Sequence, residues 1–243
     1  MNSRDMGEPD LFGQALLDHY KGKRYKLHME RDDGMMDEQN MAFYFRDFKK
    51  FPEAETKALK HAKGKVLDLG VGAGRAALYL QSRGCDVLGL DISDKALEVC
   101  RLRGVKRLRN MSICDLKLPK DSFDCAIALF NNFGLCGSMD GVAGMMKQLH
   151  GIVKEDGIFL AESVDPTDTT KKIHIKYHQR NIARGRPPGQ VTLRTHYRGK
   201  TDGWWDLLLL RPTEVRELCD RTGWRIWRTY KGGPMIVYAL KKA

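Results

Sequence analysis

The stretch from Val66 to Arg75 has the features of a ligand-binding turn, because an apolar strand runs directly into closely spaced glycines. The glycines are Gly70, Gly72 and Gly74. Glycine lets the backbone approach a ligand closely and adopt conformations that other side chains forbid. Asp91 ends the next predicted strand, where a carboxylate can accept hydrogen bonds from both hydroxyls of a ribose. This arrangement predicts a bound nucleoside.

The spacing of the glycines argues against a dinucleotide. Dinucleotide sites usually carry GxGxxG, which seats a pyrophosphate on the helix N-terminus. Here the glycines fall as GxGxG and Arg75 follows. Asp68 lies inside the strand before the turn, where its carboxylate would repel a pyrophosphate and attract a cation. Asp115, at the end of the third predicted strand, could accept a hydrogen bond from the exocyclic amine of adenine.

These residues resemble those of the class I S-adenosylmethionine-dependent methyltransferases. The resemblance rests on VLDLGVGAG, on Asp91 and on Cys114-Asp115-Leu116, and it covers residues 65–162 closely. It implies S-adenosyl-L-methionine as cofactor, with S-adenosyl-L-homocysteine as product. The cofactor-binding residues that it implies are Asp68, Gly70, Val71, Gly72, Gly74, Asp91, Ile92, Asp115, Leu116, Phe130 and Asn131.

The polar loop after the fourth predicted strand bears on the acceptor. It reads Phe130-Asn131-Asn132-Phe133 and lacks the Asn/Asp-Pro-Pro-Tyr/Phe motif of relatives that methylate amino groups of bases or glutamine. This difference favours the small-molecule branch of the family. The candidate catalytic residues are Asn131, Tyr44 and His178. Each has a structural alternative, since asparagines shape turns, aromatic residues pack helices on sheets and histidines occur on solvated basic surfaces.

Short apolar strands alternate with helices along residues 65–162, which predicts strands covered on both faces by helices. We therefore expect an α/β fold with a Rossmann-like, doubly wound, mostly parallel seven-stranded sheet. Its C-terminal hairpin should supply an antiparallel strand, and a small antiparallel insertion should follow strand five. The predicted divisions are 1–63 as an N-terminal helical lid segment, with 32–40 as a loop, and 64–243 as the methyltransferase domain, with 165–210 as an acceptor-side insertion.

The chain is basic, with 42 Lys and Arg against 31 Asp and Glu and a net charge of +11. A positive field attracts phosphates, carboxylates, nucleic acid or acidic membranes. Residues 171–200 hold nine Lys or Arg and no acid. Arg184, Arg186 and Arg194 could therefore hold a carboxylate or phosphate of an anionic acceptor. Nucleic acid is less favoured as a partner, because aromatic residues are not interleaved with the arginines as in a stacking groove.

The cysteines and the apolar runs set the remaining expectations. None of the six cysteines forms a CxxC pair or a Cys/His cluster, so we expect reduced core cysteines and no metal. The N-terminus has no apolar signal region, and no stretch reaches the ~20 apolar residues of a membrane helix. These features predict a cytoplasmic protein without a membrane partner. They leave the oligomeric state open.

The sequence thus predicts methyl transfer from S-adenosylmethionine to a small-molecule acceptor by in-line displacement. One alternative is an RNA or protein methyltransferase that uses the basic insertion. Another is a protein that binds S-adenosylmethionine without catalysis, because intact glycines and acids indicate binding and not transfer.

Overall fold

The structure is a computed structural model and describes residues 9–243. Its strands are β1 Leu27–Arg31, β2 Met36–Gln39, β3 Lys65–Leu69, β4 Asp86–Asp91, β5 Arg107–Asn110, β6 Phe123–Ala128, β7 Val153–Val164, β8 Gln190–Tyr197, β9 Lys200–Thr201, β10 Trp205–Leu208, β11 Trp224–Gly232 and β12 Met235–Lys242. Its α-helices are α1 Leu11–Tyr20, α2 Glu53–Leu59, α3 Arg75–Ser82, α4 Asp94–Arg103, α5 Met139–Ile152, α6 Lys172–Ala183 and α7 Pro212–Thr222. Residues 1–8, the start of the predicted lid segment, lie outside the described residues.

Seven strands form the central sheet in the order β11-β12-β7-β6-β3-β4-β5. Strand β12 is antiparallel to both of its neighbours, and the remaining pairs are parallel. Apolar clusters cover the two faces of the sheet, one beneath α5 and α7 and the other beneath α2, α3 and α4. The predicted fold, including its antiparallel C-terminal strand, is confirmed.

Local signals in the sequence explain where the helices begin and end. Helix α4 starts at Ser93, whose hydroxyl accepts a hydrogen bond from the Ala96 amide at 2.9 Å. It stops at Gly104, which adopts the left-handed conformation with φ of 95°. The predicted insertion also contains a helix, since α6 spans Lys172–Ala183. These elements follow from residues that are close together in the chain.

A second sheet, here called the cap sheet, corrects the predicted helical lid. Its order is β10-β8-β1-β2, with β9 paired to the end of β8. Strands β1 and β2 come from the segment predicted to be helical, and β2 lies within residues 32–40, predicted to be a loop. Three of the four residues of β2 are exposed, so the strand has no apolar alternation. Its partner β1 pairs with β8, where Leu27 faces Tyr197 across a long stretch of sequence.

The cysteine prediction is also corrected. Cys114 and Cys136 form a disulfide with a Cα–Cα distance of 5.7 Å, which joins the segment after β5 to the segment before α5. Neither residue belongs to a CxxC pair, and the pairing depends on tertiary proximity. Cys85, Cys100 and Cys125 remain free, as does Cys219.

Two negative findings apply to residues 9–243. No group of three or more His, Cys, Asp or Glu side chains within this range could hold a metal ion. Across the same range, every helix is too short or too polar to cross a membrane.

Candidate functional site

A cavity of about 920 Å³ lies between the carboxyl ends of the parallel strands and the inner face of the cap sheet. The segments after β3, β4, β5 and β6 line one side, as expected for a ligand site in an open parallel sheet. Alternate residues of the cap sheet line the other side, namely Asp37, Gln39, Met29, Arg31, Val191, Leu193, Thr195, Trp205 and Leu207. Both layers of the fold therefore contribute to a single enclosure.

The glycine turn forms the floor of this cavity. Gly70 and Gly72 line it with φ of 75° and 55°, in the left-handed region that favours glycine. A Cβ on Gly70 would lie 2.5 Å from Nδ2 of Asn132, so the turn has no room for a side chain there. Gly74 caps the start of α3 with φ of 79° and packs against Val105. Among the described residues, Gly74 is not part of the cavity wall.

The carboxylate of Asp91 is held in place by backbone amides beside the glycine turn. Its Oδ2 accepts a hydrogen bond from the Gly72 amide and its Oδ1 one from the Ser93 amide, both at 3.0 Å. Val71 and Ile92 also line the cavity here. A carboxylate fixed in this way is oriented before any ligand arrives, which suits recognition of two adjacent hydroxyls.

Asp115 and Leu116 lie elsewhere than the sequence prediction expects. The side chain of Asp115 is 67% exposed and forms an ion pair with Lys117 at 3.0 Å. Leu116 is buried in the core below the sheet. Within the part of the chain that the structure describes, the wall at this end is instead formed by Met111, Ser112, Ile113 and Cys114.

Asp68 is buried next to the turn and also lines the cavity. Burial raises the pKa of its carboxyl to about 7, because a low-dielectric environment disfavours the charged form. The guanidinium of Arg75 opposes this increase, and the charge of Asp91 adds to it. In the free protein, Asp68 is therefore close to half protonated at neutral pH.

This pKa predicts how cofactor binding depends on pH. A cationic ligand favours the ionised form of Asp68, so we expect the affinity for S-adenosylmethionine, whose sulfonium is positively charged, to rise with pH until about 7 and then level off. The slope is at most about tenfold per pH unit for one proton released. Calorimetric titrations across this range measure it. The Asp68→Asn variant should give a flat profile, and a flat wild-type profile would contradict the prediction.

The stability of the unliganded protein should change in the opposite direction. A carboxyl group whose pKa is raised from 3.8 to about 7 is stabilised by folding in its protonated form. Its contribution to the free energy of unfolding is fully present below the unfolded pKa and is lost as the pH rises through the folded pKa.

Arg75 connects the cavity to the N-terminal segment through contacts that the sequence analysis did not predict. Its guanidinium donates two hydrogen bonds to the buried carboxylate of Glu55, at 2.5 and 2.8 Å. It also lies over the rings of Phe51 and Phe130, at 4.3 and 4.4 Å from their centroids. The one signal in the sequence is the arginine directly after the third glycine, and it does not identify a partner.

A second buried acid lies beside this pair. Oε2 of Glu162 accepts a hydrogen bond from the Phe130 amide at 2.7 Å. Burial, together with the nearby charge of Glu55, raises the pKa of Glu162 to about 8. The guanidinium of Arg75 is thus the cation near both buried carboxyl groups, Glu55 and Glu162. At neutral pH, Glu162 is largely protonated.

The loop after β6 has an unusual backbone. Phe130 and Asn131 both have positive φ, 59° and 65°, a conformation that costs energy for residues other than glycine. Asn132 anchors the loop, since its Nδ2 donates hydrogen bonds to the carbonyls of Leu69 and Gly70 at 2.9 and 2.7 Å. Oδ1 of Asn131 is buried without a hydrogen-bond partner in the described chain. Phe130 and Asn131 both line the cavity.

The structure brings two of the three candidate catalytic residues to the cavity. Tyr44 lines it next to Asn131, and its ring contacts those of Phe12 and Phe130 with centroids 5.2 and 4.9 Å away. Burial raises the pKa of Tyr44 to about 12, so its hydroxyl stays protonated. The third candidate, His178, lies on α6 and is not among the described residues that line the cavity. His174, one helical turn earlier on α6, lines the cavity instead.

The arginines of the basic insertion do not form the expected anion site. Arg194 forms an ion pair with Glu30 at 2.7 Å, and Arg186 forms one with Asp206 at 3.0 Å. Arg184 is exposed. None of the three arginines belongs to the cavity wall in residues 9–243. The charges of Arg186 and Arg194 are therefore compensated by ion pairs with acids of the cap sheet and are not directed at the cavity.

Comparison with known proteins agrees with this geometry. A family model described as a methyltransferase domain matches residues 67–161. A solved S-adenosylmethionine-dependent methyltransferase from Bacteroides fragilis, in complex with S-adenosyl-L-homocysteine, is 25% identical with a TM-score of 0.81. That similarity covers 98% of this chain and 100% of the other. Residues 67–161 thus match a methyltransferase domain, and the whole chain is similar to this S-adenosylmethionine-dependent methyltransferase. The predicted cofactor, S-adenosylmethionine, is confirmed by the same similarity.

Other methyltransferases match parts of the chain or its fold. Phosphatidylethanolamine N-methyltransferase from Cereibacter sphaeroides is 35% identical over 96 residues, which are 36% of this chain and 47% of that protein. Demethylmenaquinone methyltransferase from Tropheryma whipplei is 32% identical over 99 residues, which are 39% of this chain and 41% of that protein. The alignments thus span less than half the length of these curated relatives. The CcbJ methyltransferase from Streptomyces caelestis, at 16% identity and a TM-score of 0.60, shares the fold.

Proposed function

We propose that this protein transfers a methyl group from S-adenosylmethionine to a small-molecule acceptor. The observation that carries this proposal is the single cavity that joins the glycine turn to the cap sheet. Its volume of about 920 Å³ lies at the upper end of the range for small-molecule sites. A cofactor and a small acceptor can therefore share one enclosure. Two curated relatives, named for phosphatidylethanolamine and demethylmenaquinone, support an organic acceptor.

The proposed roles follow from the position of each residue. When bound, S-adenosylmethionine supplies a methyl group on a positively charged sulfur, which a nucleophile aligned with the S–CH3 bond displaces. Asp91 accepts hydrogen bonds from the ribose, and Gly70 and Gly72 allow close approach of the backbone. Asp68 faces the cationic part of the cofactor. Asn131 orients the ligands where cofactor and acceptor meet.

We propose that Tyr44 excludes water from the site and does not transfer a proton. Its high pKa makes it a poor base at neutral pH. With the rings of Phe12 and Phe130 it forms an apolar wall that keeps water away from the reacting groups. Transfer to RNA is less favoured, because two of the three arginines that would follow phosphates, Arg194 and Arg186, are paired with Glu30 and Asp206.

Labelled S-adenosylmethionine tests the proposal directly. We expect S-adenosylhomocysteine to bind in calorimetry, and we expect methyl label to enter the small-molecule or lipid fraction of a cell extract. The Asp91→Ala protein is the control, because label that persists with it comes from a contaminating enzyme. Label confined to RNA or protein would contradict the proposed acceptor class. Binding without any transfer would support the non-catalytic alternative.

A further inference from the structure

The cavity is rich in carboxylates although the protein as a whole is basic. Among the described residues, the acidic and arginine side chains that line it are Asp37, Asp68, Asp91, Asp202, Arg31 and Arg75. Both arginines already bind carboxylates, Arg31 that of Asp33 and Arg75 that of Glu55. Desolvation and the charge of Arg31 lower the pKa of His174, which adds little positive charge at neutral pH. An anionic acceptor would be repelled from such a space.

Asp202 is the carboxylate on the acceptor side of this cavity. It lies between β9 and β10, and its side chain is 7% exposed. Its Oδ1 accepts a hydrogen bond from the Thr195 amide. Its Oδ2 is buried and has no hydrogen-bond partner within residues 9–243. A buried carboxylate is costly unless it is paired, so the position favours a ligand that supplies the missing donor.

Two further polar atoms beside Asp202 lack partners. Thr195 is completely buried, and its Oγ1 makes no hydrogen bond to the described part of the chain. Nε1 of Trp205 is also buried and makes no hydrogen bond to any residue within 9–243. Trp205 pairs across the sheet with Leu193, two residues from Thr195, so the unpaired groups are neighbours on one wall. Leaving buried polar groups without partners destabilises the protein, and a ligand with matching polar atoms removes that cost.

On β8 and β10 the other side chains that face the cavity are apolar, whereas the polar ones, Arg31, Asp37 and Gln39, lie on β1 and β2. Val191 and Leu193 on β8, Leu207 on β10 and Met29 on β1 point to the same cavity. The part of the wall around Asp202 therefore combines an apolar surface with one carboxylate, one hydroxyl and one indole N–H. This combination selects for a molecule with an apolar body and a single polar end.

We propose that Asp202, Thr195 and Trp205 form the subsite for the polar group of the acceptor, and that this group is a hydrogen-bond-donating amine on an apolar molecule. The inference rests on the proposed function, because it reserves the glycine-turn end for the cofactor. Asp202 accepts the hydrogen bond through Oδ2, and Thr195 and Trp205 contact the remaining polar atoms of that group. We expect a small rotation about χ2 of Asp202, a broad torsion, to turn Oδ2 towards the ligand.

Two aromatic probes of similar size and opposite charge test the subsite. 2-Naphthylmethylamine and 2-naphthoate are titrated by calorimetry into protein saturated with S-adenosylhomocysteine. We expect the amine to bind at least tenfold more tightly than the carboxylate. The Asp202→Asn variant keeps an oxygen for the Thr195 amide and should still lose about tenfold in affinity for the amine, as expected for a hydrogen bond to a charged group. The Thr195→Val variant should lose about threefold.

Glu38→Gln is the matched control, because it removes a carboxylate from the outer, half-exposed side of the same sheet. It should leave all probe affinities unchanged. Equal binding of the two probes, absence of amine binding, or an Asp202→Asn protein that binds the amine normally would each overturn the proposed subsite. Titrating S-adenosylhomocysteine alone, and the probes into cofactor-free protein, separates the two proposals. If the wild-type protein does not bind S-adenosylhomocysteine, the proposed function is contradicted. The preference for the amine and its dependence on Asp202 test the subsite, whether or not the cofactor binds.

Discussion

Replacing Arg75 by methionine is expected to lower the free energy of unfolding by about 3–5 kcal/mol, the usual cost of removing one partner of a buried ion pair. The carboxylate of Glu55 is completely buried and receives two hydrogen bonds from this guanidinium. Without it, Glu55 and the adjacent Glu162 would share a low-dielectric site with no cation beside them. Methionine retains much of the apolar contact with Phe51 and Phe130, so the lost charge dominates the effect.

Urea denaturation followed by circular dichroism at neutral pH measures this change. The control is Lys57→Met on α2, the helix that carries Glu55. It removes an exposed ion pair with Glu53 at 2.7 Å and should lower the free energy of unfolding by at most about 1 kcal/mol. The double variant Glu55→Gln/Arg75→Met should regain much of the stability, because no buried charge is then left unpaired at that position. A loss below 1 kcal/mol in the single variant would mean that Arg75 does not compensate the buried acids.

Replacing Asp91 by alanine is expected to weaken S-adenosylhomocysteine binding at least tenfold, or ~1.4 kcal/mol. The carboxylate is held by the amides of Gly72 and Ser93, so it faces the cavity in a fixed orientation without cost at the moment of binding. Hydrogen bonds to charged groups contribute about 1.5–3 kcal/mol each, and a ribose offers two hydroxyls. The substitution also releases the Gly72 amide, which loosens the turn.

Calorimetry on wild-type and variant proteins with matched thermal melts isolates the binding effect. Asp115→Ala is the informative control, because its side chain is 67% exposed and paired with Lys117. We expect that variant to bind within about threefold of wild type, a difference of less than ~1 kcal/mol. An unchanged affinity in Asp91→Ala would refute its role at the ribose. A large effect of Asp115→Ala would instead mean that the adenine contact implied by the family resemblance forms when the cofactor binds.

The sequence by itself determined the donor half of the site. The strand, the glycine turn and helix α3 are contiguous, and their signals are apolar periodicity and conformations that glycine favours. Such signals act between residues that are close in the chain, and so does the helix cap at Ser93. For this reason the central sheet and the cofactor could be predicted, as could the nearness of Asp68 and Asp91 to the turn.

Only the tertiary structure decided the acceptor half. Strand β1 pairs with β8, Arg75 binds Glu55 and Cys114 bonds to Cys136, and none of these contacts leaves a periodic pattern in the chain. The antiparallel insertion after strand five could be predicted from the sequence, but the addition of β1 and β2 to its sheet could not, because β1 comes from the N-terminal segment and pairs with β8 across a long stretch of sequence. Asp202 could not be singled out from the sequence either, because what distinguishes it is its burial and its unpaired Oδ2. Burial and pairing are properties of packing, and packing is fixed by residues far apart in the sequence.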